Sequence, residues 1–170
     1  MPESPPLDSL RVLAHPLRLR ILSLLTGAAM SAAEAARELG ETQANISYHL
    51  RRLHDAGLVD IAEELQIRGG RAKRYRHDPD SGGGFTSRDL GEEQLLVTAL
   101  TEELKRRTEF RAADRPGSTT DAEVWIDEAS WSRALGLARE LSHLLHNAAE
   151  PPRTPGAVHV SATVSLFELR

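Results

Sequence analysis

From Gln43 to His54 the chain reads QANISYHLRRLH, with two arginines, two histidines and a tyrosine but no acid. Amide, hydroxyl and phenol groups of this kind exchange hydrogen bonds with base edges or backbone oxygens. Guanidinium groups pair with phosphates or with the acceptor edge of guanine. That is recognition chemistry. Catalysis has no such foothold: there is no cysteine nucleophile, no Gly-x-Ser-x-Gly, no phosphate loop and no His-Glu-x-x-His, so no enzyme is expected and no cofactor is called for. On a helical wheel Ile46, Leu50 and Leu53 share one narrow arc, which must be the buried one. Gln43, Ala44, Asn45, Ser47, Tyr48, Arg51 and Arg52 cover the outside. Small and flat residues there allow close approach to a surface. His49 stands at the edge of the buried arc, where packing and a phosphate contact are both open to it.

Such a helix must be started, stopped and held. Ser31-Ala-Ala-Glu34 is a capping box opening an alanine-rich helix through Leu39, and Gly40 stops it where chains turn left-handed. Thr42 caps the next helix, which Gly57 closes. Upstream, a helix restarts at Pro16, because proline's missing N–H is harmless in a first turn, and it turns Leu17, Ile21, Leu24 and Leu25 inward. An apolar pattern from Leu7 precedes it. Downstream, Leu58, Val59, Ile61, Leu65 and Ile67 suit a strand. A Gly-Gly turn and a second strand follow, bringing Arg68, Arg71, Lys73, Arg74 and Arg76 together, with Tyr75 as a brace. The expectation is a helix-turn-helix with a basic wing. Gln43, Ala44, Asn45, Ser47 and Tyr48 would face bases, while Thr42, His49, Arg51, Arg52, Arg68, Arg71, Lys73 and Arg74 would hold phosphates or form the wing.

The stretches LAHPLRLRILSLL, SAAEAARELGETQANISYHLRRLHDAGLV and GGRAKRYR resemble the winged-helix repressors of the ArsR type. The resemblance covers residues 7–77. It implies a homodimeric transcription regulator, a repressor, whose second helix of the pair enters the major groove of double-stranded DNA. The founding members of that family sense metals through cysteines. This chain has none, so that chemistry is not implied.

The rear half offers a dimer element and weaker ligand signals. Leu95, Leu96, Ala99, Leu100 and Leu104 mark a long amphipathic helix from about Thr86 to Phe110, the natural place for pairing with a second copy. The acid pairs Glu92-Glu93 and Glu102-Glu103 read as its wet surface. EVWID, residues 123–127, reads as a short strand, and a helix follows from about Ser130 to Ala148. The tail then alternates, with Val158, Val160, Ala162, Val164 and Leu166 on one face, as a half-buried strand does. Its partner is either the 123–127 strand or a strand of another copy. His143 and His146 lie three apart on one helix, with His159 on the tail. With Glu140 three before His143, they are the candidates for a zinc or nickel site, against the plainer role of solvated or snorkelling histidines. Trp125 and Trp131 could line an apolar effector pocket; the plainer role is anchoring a core or interface. An unknown small-molecule effector is therefore a third partner beside DNA and self.

Composition bounds all of this. At 170 residues the chain holds one domain with an extension, or two small ones. The organisation expected is a winged helix-turn-helix at residues 7–78, a linker at 79–85 and a dimerisation region with an effector role at 86–170. The fold class is mostly α with small β (α+β). Through Asp78 there are eleven Lys/Arg against ten Asp/Glu; beyond it, ten against fifteen. A near-neutral front half must bind DNA through a local patch, not a general field. The rival reading is a winged helix that binds protein, with a metal- or ligand-responsive variant of the regulator beside it. The start lacks the basic and apolar regions of a secretion signal, and no apolar run nears the roughly 18 residues of a membrane span. The expected location is cytoplasmic, with no membrane partner.

Overall fold

The computed structural model describes residues 9–67, 70–79 and 90–170. The expected apolar start at Leu7, Arg68 of the wing, most of the linker and the start of the rear helix at Thr86 lie outside these residues. The elements in chain order are α1 (Ser9–Leu13), α2 (Pro16–Gly27), β1 (Met30–Ser31), α3 (Ala32–Leu39) and α4 (Gln43–Asp55). Then come β2 (Asp60–Ile67), β3 (Gly70–Arg76), α5 (Leu90–Thr108) and α6 (Glu128–Asn147).

The local signals act as their chemistry dictates. Pro16 stands at the first turn of α2, and the His15 ring caps it, Nδ1 accepting from the Leu17 N–H at 3.2 Å. Both halves of the capping box form: the Glu34 N–H donates to the Ser31 hydroxyl at 3.3 Å, and the Ser31 N–H to the Glu34 carboxylate at 2.7 Å. Gly40 takes φ of 68° after α3, where a side chain would be strained. Thr42 caps α4 by accepting from the Asn45 N–H. β3 lies between β1 and β2, antiparallel to both, in a three-stranded sheet.

One aliphatic core sits beneath these elements. Leu13, Ile21, Leu25, Ile46, Leu50, Leu53 and Val59 are its most enclosed large side chains. With so few aromatics in the chain, branched aliphatics fill the space between helices. α5 closes the core by packing on α1 and α2, with Leu96 in the core and Leu100 against it. A division at residues 79–85 therefore does not separate two cores. The stripe read on α5 is also split: Leu96 and Ala99 are buried and Leu100 packs beside them, while Leu95 and Leu104 are exposed. Two carboxylates read as surface are not. Glu92 is buried against the Arg11 guanidinium at 3.1 Å, and Glu103 is buried and held by Arg106 and Arg107. A buried carboxylate is tolerated only with such partners.

The class is mixed α and β as expected, but the sheet belongs wholly to the front half. Among the described residues neither 123–127 nor the tail from Val158 forms a strand ladder. The alternation of the tail is real, but a ladder needs a second edge, and the described chain offers it none. α6 is correspondingly bare: none of its residues is buried. The segment after α6 turns back onto the front half. The Glu150 backbone lies against Gly27 so closely that a side chain there would overlap it. Arg153 forms a two-pronged ion pair with Glu38 on α3.

Candidate nucleic-acid interface

α3, the Glu41–Thr42 turn and α4 are arranged as a helix-turn-helix. The inward face of α4 carries Ile46, Leu50 and Leu53, all fully enclosed. That burial fixes the rotation of the helix, so its outward arc follows. Gln43, Ala44, Arg51 and Arg52 are exposed, Tyr48 is 50% exposed, and Ser47 and Asn45 are half-buried. Thr42 is exposed, but its hydroxyl already serves the cap. The Asn45 amide donates to the Glu41 carboxylate at 3.0 Å, and Arg20 holds the same turn through the Leu39 carbonyl at 2.9 Å. Glu41 thus borders the outward arc at its start, and it is engaged by that arc's own asparagine.

His49 does not belong to this surface. It is 5% exposed, and its Nδ1 accepts from the Arg18 Nε at 3.2 Å. The ring of His15 lies 4.7 Å away, and Arg18 also donates to the Val12 carbonyl at 2.8 Å. Both Nδ1 atoms accept a hydrogen bond from a donor that cannot itself accept, so each keeps its lone pair and both imidazoles are neutral. Burial, then the neighbouring His15 and Arg18, push His49 down to about 4. Burial, then Arg18, also lower His15. The expected phosphate contact at His49 is replaced by a clamp that seats α4 on α2. Residues 31 apart in sequence meet here, and nothing in local spacing announces such a contact.

The wing differs from the basic hairpin that the sequence suggested. β2 brings Asp60, Glu63 and Glu64 opposite Arg76, Arg74 and Lys73 of β3. Arg74 directs its guanidinium inward: Nη1 donates to Glu63 at 2.6 Å, Nε to Glu34 at 3.2 Å, and Nη2 to the Ala29 carbonyl at 2.6 Å. It pins the wing to the start of α3 and is not available to a phosphate. Arg71 lies 3.5 Å from Glu64 at the surface. Lys73 and Arg76 are exposed. A Gly69-Gly70 turn would set Glu63 across from Arg76; the observed register, with Ile67 opposite Gly70, sets it across from Arg74, so the turn alone does not announce this pairing. Tyr75 is half-buried and packs against the core, with His54 at its ring edge.

The rear-half candidates are not brought together as a site. His143 and His146 share a cleft of about 400 Å³ with Thr26, His77 and Asp78, but His159 is not among its lining. The described residues hold no group of three or more His, Asp or Glu placed for a metal ion. Trp125 is fully exposed, and Trp131 is partly covered, its Nε1 donating to Glu168 at 2.9 Å. Neither lines this cleft or the one beside Leu135 and Leu141 of α6. His77 carries no signal in the sequence. It is buried, its pKa lowered first by that burial, with Nδ1 at 2.7 Å from the Leu58 carbonyl.

Residues 13–62 match the family model of a helix-turn-helix domain. A stretch of 58 residues, 34% of this chain, is 40% identical to the HTH-type transcriptional regulator YgaV of Escherichia coli (strain K12). The match spans 59% of that protein's length. No helix among the described residues is long and apolar enough to cross a membrane.

Proposed function

With a helix-turn-helix at residues 13–62 as the starting point, we propose that this chain is a DNA-binding transcriptional regulator of the ArsR type, acting as a homodimeric repressor. The observation that carries the reading is the outward arc of α4. Gln43, Ala44, Ser47 and Tyr48 present a flat, uncharged patch able to meet base edges, and Arg51 and Arg52 flank it where phosphates would run. Lys73, Arg76 and Arg71 extend the surface along the wing. The similarity to a named HTH-type regulator supports the same reading. Two copies would read half-sites about one turn apart, roughly 34 Å.

A titration of mobility shift against salt tests it. Arg51→Ala weakens binding to all duplexes and lowers the salt slope by about 0.9 for each phosphate it no longer neutralises. Ser47 or Tyr48 substitutions change preference between sequences instead. Binding that is indifferent to both would refute the assignment. The internal pairing of the wing favours a second reading, a winged helix that docks on protein. Retention of random duplex at low salt, lost as salt rises, separates DNA binding from that alternative.

A further inference from the structure

Among the described residues the tail is the longest apolar run left without a partner. Val158, Val160, Val164, Leu166, Phe167 and Leu169 are all exposed, and Val158 is 81% exposed. Scattered apolar residues are ordinary on a surface, but a continuous run of this kind marks an interface. Ala162, Val164 and Leu166 line a cleft against Leu135, Ala138, Leu141 and Leu145 of α6. Val158 and Val160, at alternate positions of the same stripe, lie outside that cleft and are largely exposed. No backbone hydrogen bond is formed by residues 158–170 among the described residues. Half of the apolar stripe is seated, half overhangs, and the edge is bare.

The pattern says what covers it. Val158, Val160, Ala162, Val164 and Leu166 are arranged symmetrically about Ala162. An antiparallel copy centred there sets Val158 opposite the partner's Leu166, Val160 opposite the partner's Val164, and Ala162 opposite the partner's Ala162. Opposed residues share one face of a sheet. The overhanging valines of each chain thereby reach the α6 surface of the other. On the second face Ser161 meets Thr163 and His159 meets Ser165. Sliding the register by two positions spoils this. One direction sets Leu166 against Gly156; the other sets Val158 against Glu168. A parallel pairing stacks Glu168 on Glu168 and His159 on His159.

We infer that the tail, residues 157–167, pairs antiparallel with the tail of a second copy about a two-fold axis through Ala162, roofed by α6 of both chains. This deepens the homodimer part of the proposal above and rests on it. The contact is isologous and closes at two copies, so it does not propagate into fibres. It also removes the exposed edge that would otherwise recruit other strands.

The chain has no cysteine, so introduced thiols report cleanly on the full-length protein. Ala162→Cys places two sulfurs across the axis, within the Cα separation of roughly 4.5–5.5 Å that a disulfide accepts. Val158→Cys places its pair far apart, at about 27 Å for eight residues of strand. Oxidation should double the 18.7 kDa chain mass for Ala162→Cys and leave Val158→Cys unlinked. Val158→Cys with Leu166→Cys should link again. Reduced protein is weighed by sedimentation in parallel. A dimeric mass with Ala162→Cys unlinked, or with Val158→Cys linking equally well, overturns the tail pairing and leaves the homodimer standing. A monomeric mass at every concentration overturns both.

Discussion

Acid should loosen the seat of α4, and His49 sets the size of the effect. In the folded chain the imidazole is neutral, with its pKa pushed down from 6.5 to about 4. In the unfolded chain it titrates near its ordinary value. Above the unfolded value both states are neutral and stability is complete. As pH falls below it, the unfolded chain takes up a proton that the folded chain refuses, so stability declines until the folded value is reached. The window is therefore about pH 6.5 down to about 4. The full difference caps the loss at about 3.4 kcal/mol, and relaxation around the ring and water entry would reduce it to about 2. His15 is shifted in the same direction by burial and Arg18, and it adds to the slope without reversing it. The assay is urea unfolding at several pH values for wild type and His49→Gln, whose amide oxygen can still accept from Arg18 but does not titrate. The variant should flatten the dependence between about pH 7 and about pH 5 by about 1–2 kcal/mol. A His49 ring that titrates near its ordinary value by NMR, or a variant with an unchanged slope, would refute the clamp.

Arg74→Ala should cost about 1–2 kcal/mol of stability by leaving Glu34, Glu63 and the Ala29 carbonyl without their donor, yet leave the salt slope of DNA binding unchanged. Arg51→Ala should do the reverse, as chemical denaturation and binding titrations on the same two proteins will report. Ser31→Ala removes both the hydroxyl of the capping box and part of what holds Glu34 ionised, and should lower the unfolding free energy by about 1 kcal/mol in urea. Gly27→Ala places a methyl group on the Glu150 backbone. Amide exchange should then quicken at residues 149–154, while exchange in the α4 core stays slow.

The front half is legible because its signals are local. Ser31 with Glu34, Pro16, Gly40, Thr42 and Gly57 each act within four residues, and the inward arc of Ile46, Leu50 and Leu53 follows from helical period alone. The clamp at His49 and the pin at Arg74 are not legible, because each is completed by groups dozens of residues away, Arg18 for the one and Glu34 and the Ala29 carbonyl for the other, that the spacing does not name. Arg74 looks like a wing cation until Glu63 is set across from it. Glu92 misleads for the same reason, since its partner Arg11 lies on another helix; Glu103 misleads because arginines three and four residues on read as an ordinary solvated pair. At the tail, alternation marks a two-faced strand. It cannot supply the missing edge, because no described segment of the chain pairs with it as a strand.

Arg74 also bears on how the molecule could measure distance along a duplex. A single guanidinium grips the hairpin, the start of α3 and the bend after α2, so the hairpin base cannot tilt without dragging α3 along. In the homodimer proposed above, each reading head would then behave as one stiff jaw, and tolerance for an inserted base pair between half-sites would come from the joint linking the jaws, not from their tips.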